Sequence, residues 1–200
     1  MNNSLYKERL TPDLVVDALG KYDECPCLYL GGETASYKEV RRKVSQYAQA
    51  LKEKNIKAGT RVALLSANCP DVIFFQLAAY TVGCCVTPLH PMGSLEDHAY
   101  IVNDVEAEAL VYLPSKYEQR VNELAKVAPS VRHFLAFGET EVGEDYAALA
   151  AKFEPAPLTV PDIQGKDIIN IVYTGGTTGT PKGVELTYTS LAYMTMMQMA

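Results

Sequence analysis

Residues 61–91 read RVALLSANCPDVIFFQLAAYTVGCCVTPLHP. RVALLS has the length and apolar content of a strand, and ANCPD interrupts it with Pro70, a residue suited to the first turn of a helix. DVIFFQLAAYTVG then reads as a buried helix, and CCVTPL as a buried strand. No Asp, Glu, Lys or Arg falls between Asp71 and Glu96, which raises the question of a membrane span. Gln76, Thr81, Gly83, Thr87, Pro88, His90 and Pro91 interrupt the run, so the helix-and-strand reading is preferred to a span.

The same alternation extends in both directions. Upstream, TPDLVVDALGKY places Thr11 as a helix cap with Pro12 at the first helical position, and CLYLGGETAS predicts a hairpin turning at Gly31 and Gly32. Ser36 and Glu39 form a capping-box pattern that opens a helix whose inward stripe is Val40, Val44, Tyr47, Ala48 and Leu51. Downstream, Ser94 caps a helix over 95–103, ALVYLP (109–114) is a strand, and a helix is expected over 116–127. RHFLAFG (132–138) is the next strand, with a short helix near EDYAALAAKF. Repeated strand–helix units predict an α/β fold with layered, parallel-rich sheets and flanking helices.

Residues 154–166 carry three prolines and read as a connecting loop. Then follow the strand DIINIVYT, a glycine-rich loop, the strand GVELTY, and TSLAYMTMMQMA as the first turns of a helix, its methionines forming a core face. That last segment has no C-cap glycine, and the expectation is a chain cut from something longer.

Composition narrows the function classes. Hydrophobic residues make up 48% of the 200, enough for a substantial core, and a net charge of −6 offers no basic stripe for a nucleic acid. The N-terminal residues have no apolar core of a signal peptide, so a cytoplasmic protein is expected. Cys25, Cys27, Cys69, Cys84 and Cys85 make an odd set without paired spacing, read as buried, inert thiols rather than a disulfide framework or metal site. His90, His98 and His133 have no nucleophile or metal partner in sequence and are read as structural or surface residues.

The chemistry concentrates in residues 173–183, YTGGTTGTPKG, with four glycines and four threonines in eleven residues. From Ile168 to Val184 the only charged side chain is Lys182, so an anion approaching the loop meets no carboxylate. Inward-pointing backbone N–H groups, hydroxyls and one ammonium suit a polyphosphate, most simply the triphosphate of ATP. Lys182 lacks the Gly-Lys-Ser/Thr order and following helix of a Walker A loop. Composition alone leaves open a long hairpin loop whose glycines only turn the chain.

The order of residues resembles the phosphate-binding signature of the adenylate-forming superfamily, Tyr/Phe-Thr-Ser-Gly-Thr-Thr-Gly-x-Pro-Lys-Gly, at ten of eleven positions, Gly175 standing in place of serine. SYKEVRRKVSQYAQAL and the stretch opening GTRVALL are similar to earlier family segments, and the resemblance covers about residues 30–200. His90 stands where many relatives have asparagine, and Tyr188 where many have histidine. The resemblance implies an acyl-CoA synthetase that activates a fatty or aromatic carboxylic acid with ATP and Mg²⁺ and passes the acyl group to CoA. A peptide-synthetase adenylation domain and a non-catalytic nucleotide-binding module are the alternatives. It also implies that Thr177 and Thr178, with Thr174 as a weaker candidate, bond phosphate oxygens. Gly176 and Gly179, beside Gly175, allow close backbone approach, and Lys182 pairs with the terminal phosphates. Tyr173 reads as a strand-end core residue, with a nucleotide contact as the other possibility. Residues 1–200 would then be the N-terminal portion of the large domain. The Mg²⁺ ligand, most of the acyl pocket and the catalytic lysine of a small mobile domain would lie beyond it, leaving the 200-residue chain alone inactive.

Overall fold

A computed structural model describes residues 8–30, 32–174 and 180–198. Helix α1 (Thr11–Lys21) leads to a two-stranded antiparallel hairpin, β1 (Pro26–Leu30) and β2 (Glu33–Ser36), and to α2 (Tyr37–Glu53). A strand–helix alternation follows: β3 (Arg61–Leu65), α3 (Pro70–Val82), β4 (Cys85–Pro88), α4 (Leu95–Asp104), β5 (Ala109–Tyr112), α5 (Pro114–Leu124) and β6 (His133–Ala136). The short β7 (Glu144–Asp145) and α6 (Tyr146–Ala150) precede β8 (Ile168–Thr174), β9 (Lys182–Thr187) and α7 (Tyr188–Gln198). Among the described residues one seven-stranded sheet runs β7-β6-β5-β3-β4-β8-β9, parallel throughout except for the antiparallel edge pair β8–β9. The fold is therefore the layered, parallel-rich α/β arrangement expected.

The apolar strands are explained by two covered faces. In β3, Val62 and Leu64 pack into a core with α1, α2, α3 and α6, while Ala63 and Leu65 pack into a second core with α4 and α5. β5 repeats this: Ala109 and Val111 face the first core, Leu110 and Tyr112 the second. The first core is centred on an aromatic group, in which Tyr146 meets Tyr47 edge-on at 4.9 Å and donates its phenol to the Tyr47 carbonyl (2.6 Å). The predicted α2 stripe of Val40, Val44, Tyr47, Ala48 and Leu51 is buried, and Ser36 and Glu39 form the capping box. Residues 154–166 form no strand or helix, yet their start is strapped to α2. The Ser45 hydroxyl donates to the Ala156 carbonyl (2.7 Å) and accepts its N–H (2.8 Å), and Gln49 donates to the Glu154 carbonyl (2.7 Å).

Several local expectations are corrected. Helix α1 opens one residue early, with Leu10 at the cap, because the Asp13 carboxylate takes the Leu10 N–H (2.9 Å) while the Thr11 hydroxyl is buried inside the first turn. Helix α5 starts at Pro114, not Lys116, and tightens into three-residue turns after Leu124, where the Val127 N–H reaches the Leu124 carbonyl (3.0 Å). Tyr188 belongs to α7, not to the preceding strand. Thr187 and Ser190 cap that helix reciprocally, hydroxyl to N–H at 3.1 and 2.9 Å. The methionines of α7 do not form a core face: Met194, Met196 and Met197 are 49%, 37% and 79% exposed, and the helix buries Tyr188 and Ala192 instead. Met199 lies outside the described residues, as does Gly31 of the predicted hairpin turn. Cys84 and Cys85 are buried, and burial pushes their thiols up to about 12 and about 11, but Cys25 is exposed and Cys27 and Cys69 are half-buried, against the reading of five buried thiols.

The edge pair β8–β9 joins the parallel sheet through β4 at the register pair Val86–Asn170. Asn170 is buried, and its side-chain amide donates to the Val86 carbonyl (2.9 Å) while its side-chain oxygen accepts from the Tyr80 hydroxyl (3.1 Å). Gln76 donates in turn to the Tyr80 oxygen (2.7 Å), so a half-buried polar chain runs from α3 through the buried Asn170 of β8 to β4. Asn170→Leu keeps the volume, removes the side-chain bond to the Val86 carbonyl and leaves the Tyr80 hydroxyl without its acceptor. It is expected to lower the unfolding free energy by roughly 1–3 kcal/mol in urea titrations. An unchanged midpoint would show that the amide does not hold β8.

Candidate functional site

The glycine-rich loop links β8 to β9, and its two stems are the described part of the candidate site. Gly175, Gly176, Thr177, Thr178 and Gly179 lie outside the described residues. The ladder pairs Thr174 with Lys182, Tyr173 with Gly183 and Val172 with Val184. Because side chains alternate along each strand and directly paired residues share a face, Thr174 and Lys182 project on the side of the sheet that Asn170 shares with α3. Both are exposed, and the Thr174 hydroxyl reaches the Lys182 carbonyl at 3.4 Å. Lys182 has no carboxylate partner among the described residues, so its ammonium is available to an anion. Beneath these two, Val172 and Val184 are 40% and 47% exposed, giving the stem an apolar flank below a polar mouth.

Tyr173 takes the opposite face. It is half-buried against the second core, its phenol donates to the Asp104 carboxylate at the end of α4, and its ring meets Tyr100 edge-on with centroids 6.4 Å apart. Burial and the Asp104 charge both hold its hydroxyl in the protonated form. This agrees with the reading of Tyr173 as a strand-end packing residue and brings in Asp104, which sequence reasoning did not single out.

β4 and β8 run parallel, so their carboxyl ends lie at one edge of the sheet, where ligands of such folds bind. β4 ends at Pro88, and His90 follows in the turn just beyond it. The turn after His90 is locked. The His90 carbonyl accepts the Gly93 N–H (2.9 Å) and the His98 Nε2–H (2.8 Å), and Arg120 donates to the Gly93 carbonyl (2.7 Å) and to His98 Nδ1 (3.1 Å). A guanidinium only donates, so Nδ1 must accept and the imidazole carries its proton on Nε2. Gly93 is required here, since a Cβ would lie 2.5 Å from His98 Nε2. His98 is thus the structural residue expected, and the sequence signal for it would have been a histidine on the apolar face of a helix capped by Ser94 and Asp97.

Two apolar clefts among the described residues lie away from this edge. One, about 660 Å³, runs between α1 and α7, and the other, about 590 Å³, between the hairpin and α3. Neither includes Thr174 or Lys182, and both are mainly apolar in lining. Among the described residues no cluster of three or more His, Cys, Asp or Glu side chains is placed to hold a metal ion, and no helix is long and apolar enough to cross a membrane. The sequence 168–184 holds one ammonium, that of Lys182, and no carboxylate.

The family model described as AMP-binding enzyme matches residues 16–200. The medium/long-chain-fatty-acid–CoA ligase FadD8 of Mycobacterium tuberculosis is 37% identical over 193 residues, covering 94% of this chain and 34% of that protein. Among solved structures, a long-chain-fatty-acid-CoA ligase (FadD1) from Archaeoglobus fulgidus aligns with a TM-score of 0.81 and 25% identity, over 98% of this chain and 40% of that one. The amide bond synthetase McbA from Marinactinospora thermotolerans aligns with a TM-score of 0.77 and 30% identity, over 93% of this chain and 36% of that one. The chain spans about a third of the length of FadD8.

The locked turn makes stability depend on pH. Burial lowers the pKa of His98 from 6.5, and the Arg120 charge adds to this against the pull of the His90 carbonyl. A histidine with a depressed folded-state pKa contributes stability that is full above its unfolded value and is lost as pH falls through the lower folded value. The urea midpoint of the wild type is therefore expected to fall more steeply between pH 7.5 and 5 than that of His98→Gln. Parallel profiles would remove His98 from the account.

Proposed function

The chain belongs to the family of AMP-binding enzymes, and from that premise we propose that it is the N-terminal portion of an acid–thiol ligase whose glycine-rich loop holds the triphosphate of MgATP. The observation that carries the reading is the pairing of Thr174 with Lys182 across the neck of a carboxylate-free loop, at the carboxyl edge of the sheet. Lys182 meets the terminal phosphates, Thr177 and Thr178 donate to β- and γ-phosphate oxygens with Thr174 at the stem, and Gly175, Gly176 and Gly179 let backbone N–H groups approach. Pro181 restrains the loop's exit.

The reaction is acid activation. A carboxylate oxygen attacks the α-phosphorus of ATP, the bond from that phosphorus to the bridging oxygen breaks, and pyrophosphate leaves with the electron pair. The CoA thiol then displaces AMP from the acyl carbon and gives up its proton. The difficulty in the first step is bringing two anions together. Fixed donors around the triphosphate reduce that repulsion and stabilise the charge that grows on the leaving pyrophosphate. Likeness to FadD8 favours a fatty acid and CoA, and likeness to McbA keeps an amine as the competing acceptor.

Pyrophosphate exchange into ATP, measured on the whole protein with short, long and aromatic acids, tests the reading. Exchange that depends on one group of acids is expected, with product forming on CoA addition. Exchange followed by capture only with amines would replace CoA, and no exchange from a folded protein that binds ATP would leave a nucleotide-binding module. Lys182→Ala is expected to raise the KM for MgATP roughly ten- to a hundredfold, matching about 1.5–3 kcal/mol for a lost charge-assisted bond. An unchanged KM and turnover would overturn its role.

A further inference from the structure

The ring of Tyr173 is wedged between a helix and the loop's exit. On one side Asp104, at the C-terminal end of α4, accepts its phenol, and Tyr100, one turn earlier, meets the ring at 89°. On the other side lies Gly183, the residue immediately after Lys182. A Cβ there would come within 3.0 Å of Tyr173 Cζ, 3.2 Å of its oxygen and 3.0 Å of Ile171 Cγ2, so the glycine leaves room for the ring and its neighbour Ile171. Helix α4 is itself held from its first turn by Arg120, through His98 and the Gly93 carbonyl, and near its last by Asn103, which donates to the Val127 carbonyl (3.0 Å). A fixed helix thus grips a ring that lies against the backbone carrying the lysine.

We propose that Tyr173 is a positioning residue for Lys182: α4, through Asp104 and Tyr100, fixes the ring, and the ring fixes the Gly183 backbone and with it the place of the lysine at the loop's exit. This rests on the reading of the loop as a triphosphate site. Thr174 and Lys182 share one face and Tyr173 the other, so the phenol does not compete with the ligand for space. The contact to Asp104 joins residues 69 apart in sequence and makes the loop's stem depend on a helix that does not contain the signature.

Tyr173→Phe and Asp104→Asn, singly and together in the whole protein, test the proposal, with Asp104→Glu as the conservative variant. Two readouts are taken: amide hydrogen exchange at Gly183 and Val184 without nucleotide, and the KM and kcat for MgATP in pyrophosphate exchange. Each single variant is expected to speed exchange at those amides roughly fivefold, the equivalent of one ordinary hydrogen bond. The KM should rise more than kcat falls, the double variant should be no worse than either single one, and Asp104→Glu should recover part of the loss. Unchanged amide exchange and KM in a protein that binds MgATP would overturn the proposal, as would additive effects in the double variant. If the wild type neither binds nor turns over MgATP, the triphosphate reading fails, while faster amide exchange in both variants would still support the brace as a property of the loop.

Discussion

One buried carboxamide decides where the glycine-rich loop stands. β8 meets the parallel sheet at a short ladder with β4, and the side chain of Asn170 supplies there the donor that the Val86 carbonyl takes and the acceptor that the Tyr80 hydroxyl fills. A sheet has a side-chain period of two, so a slip of one residue along β4 would exchange the faces of Thr174 and Tyr173. Asn170 opposes that slip, because its amide has partners in only one register. The pairing of β9 with β8 then carries Lys182 to the same side as Thr174.

Alternation along β8 divides labour between its two faces. Toward α3 lie the exposed hydroxyl and ammonium of the loop's mouth above the apolar flank of Val172 and Val184, and toward α4 lies the tyrosine that packs and bonds. Among the described residues Lys182 meets no carboxylate, whereas Tyr173 is engaged through both its hydroxyl and its ring. The turn after β4 follows the second pattern: Gly93, His98 and Arg120 use their polar groups on one another beside the same edge.

Much of this was legible because its causes are local. Ser36 with Glu39, Ser94 and Pro70 each mark a helix start within one turn, and the stripe from Val40 to Leu51 needs only helical spacing. The signature loop is legible for the same reason, since its glycines, threonines and lysine are contiguous. What escaped depends on distant partners or on competing caps. The Thr187–Ser190 cap pulled Tyr188 into α7, where it is buried with its hydroxyl donating to the Cys84 carbonyl (3.3 Å), a contact across 104 residues. The methionines of α7 looked like a core face because methionine usually is one, but neighbours decide burial, and the described neighbours leave three of them open. Asp104 carried no signal at all, because an acid near the end of a helix is unremarkable until a tyrosine 69 residues later reaches it.

The order of strands in space also governs the order in which they can be made. β3 pairs with β4 and β5, and β5 with β6, so that four-stranded parallel sheet is complete in chain order before β8 has been synthesised. The bond from Asn170 to Val86 closes 84 residues, a late event for a chain emerging from its N-terminus. Until then β4 is an open edge of apolar residues, with the hazards of any unpaired strand for a nascent chain. The hairpin of β8 and β9 is at once the carrier of the glycine-rich loop and the cover for that edge. A ribosome-bound intermediate that has not yet made β8 would therefore hold a formed four-stranded sheet before the loop exists.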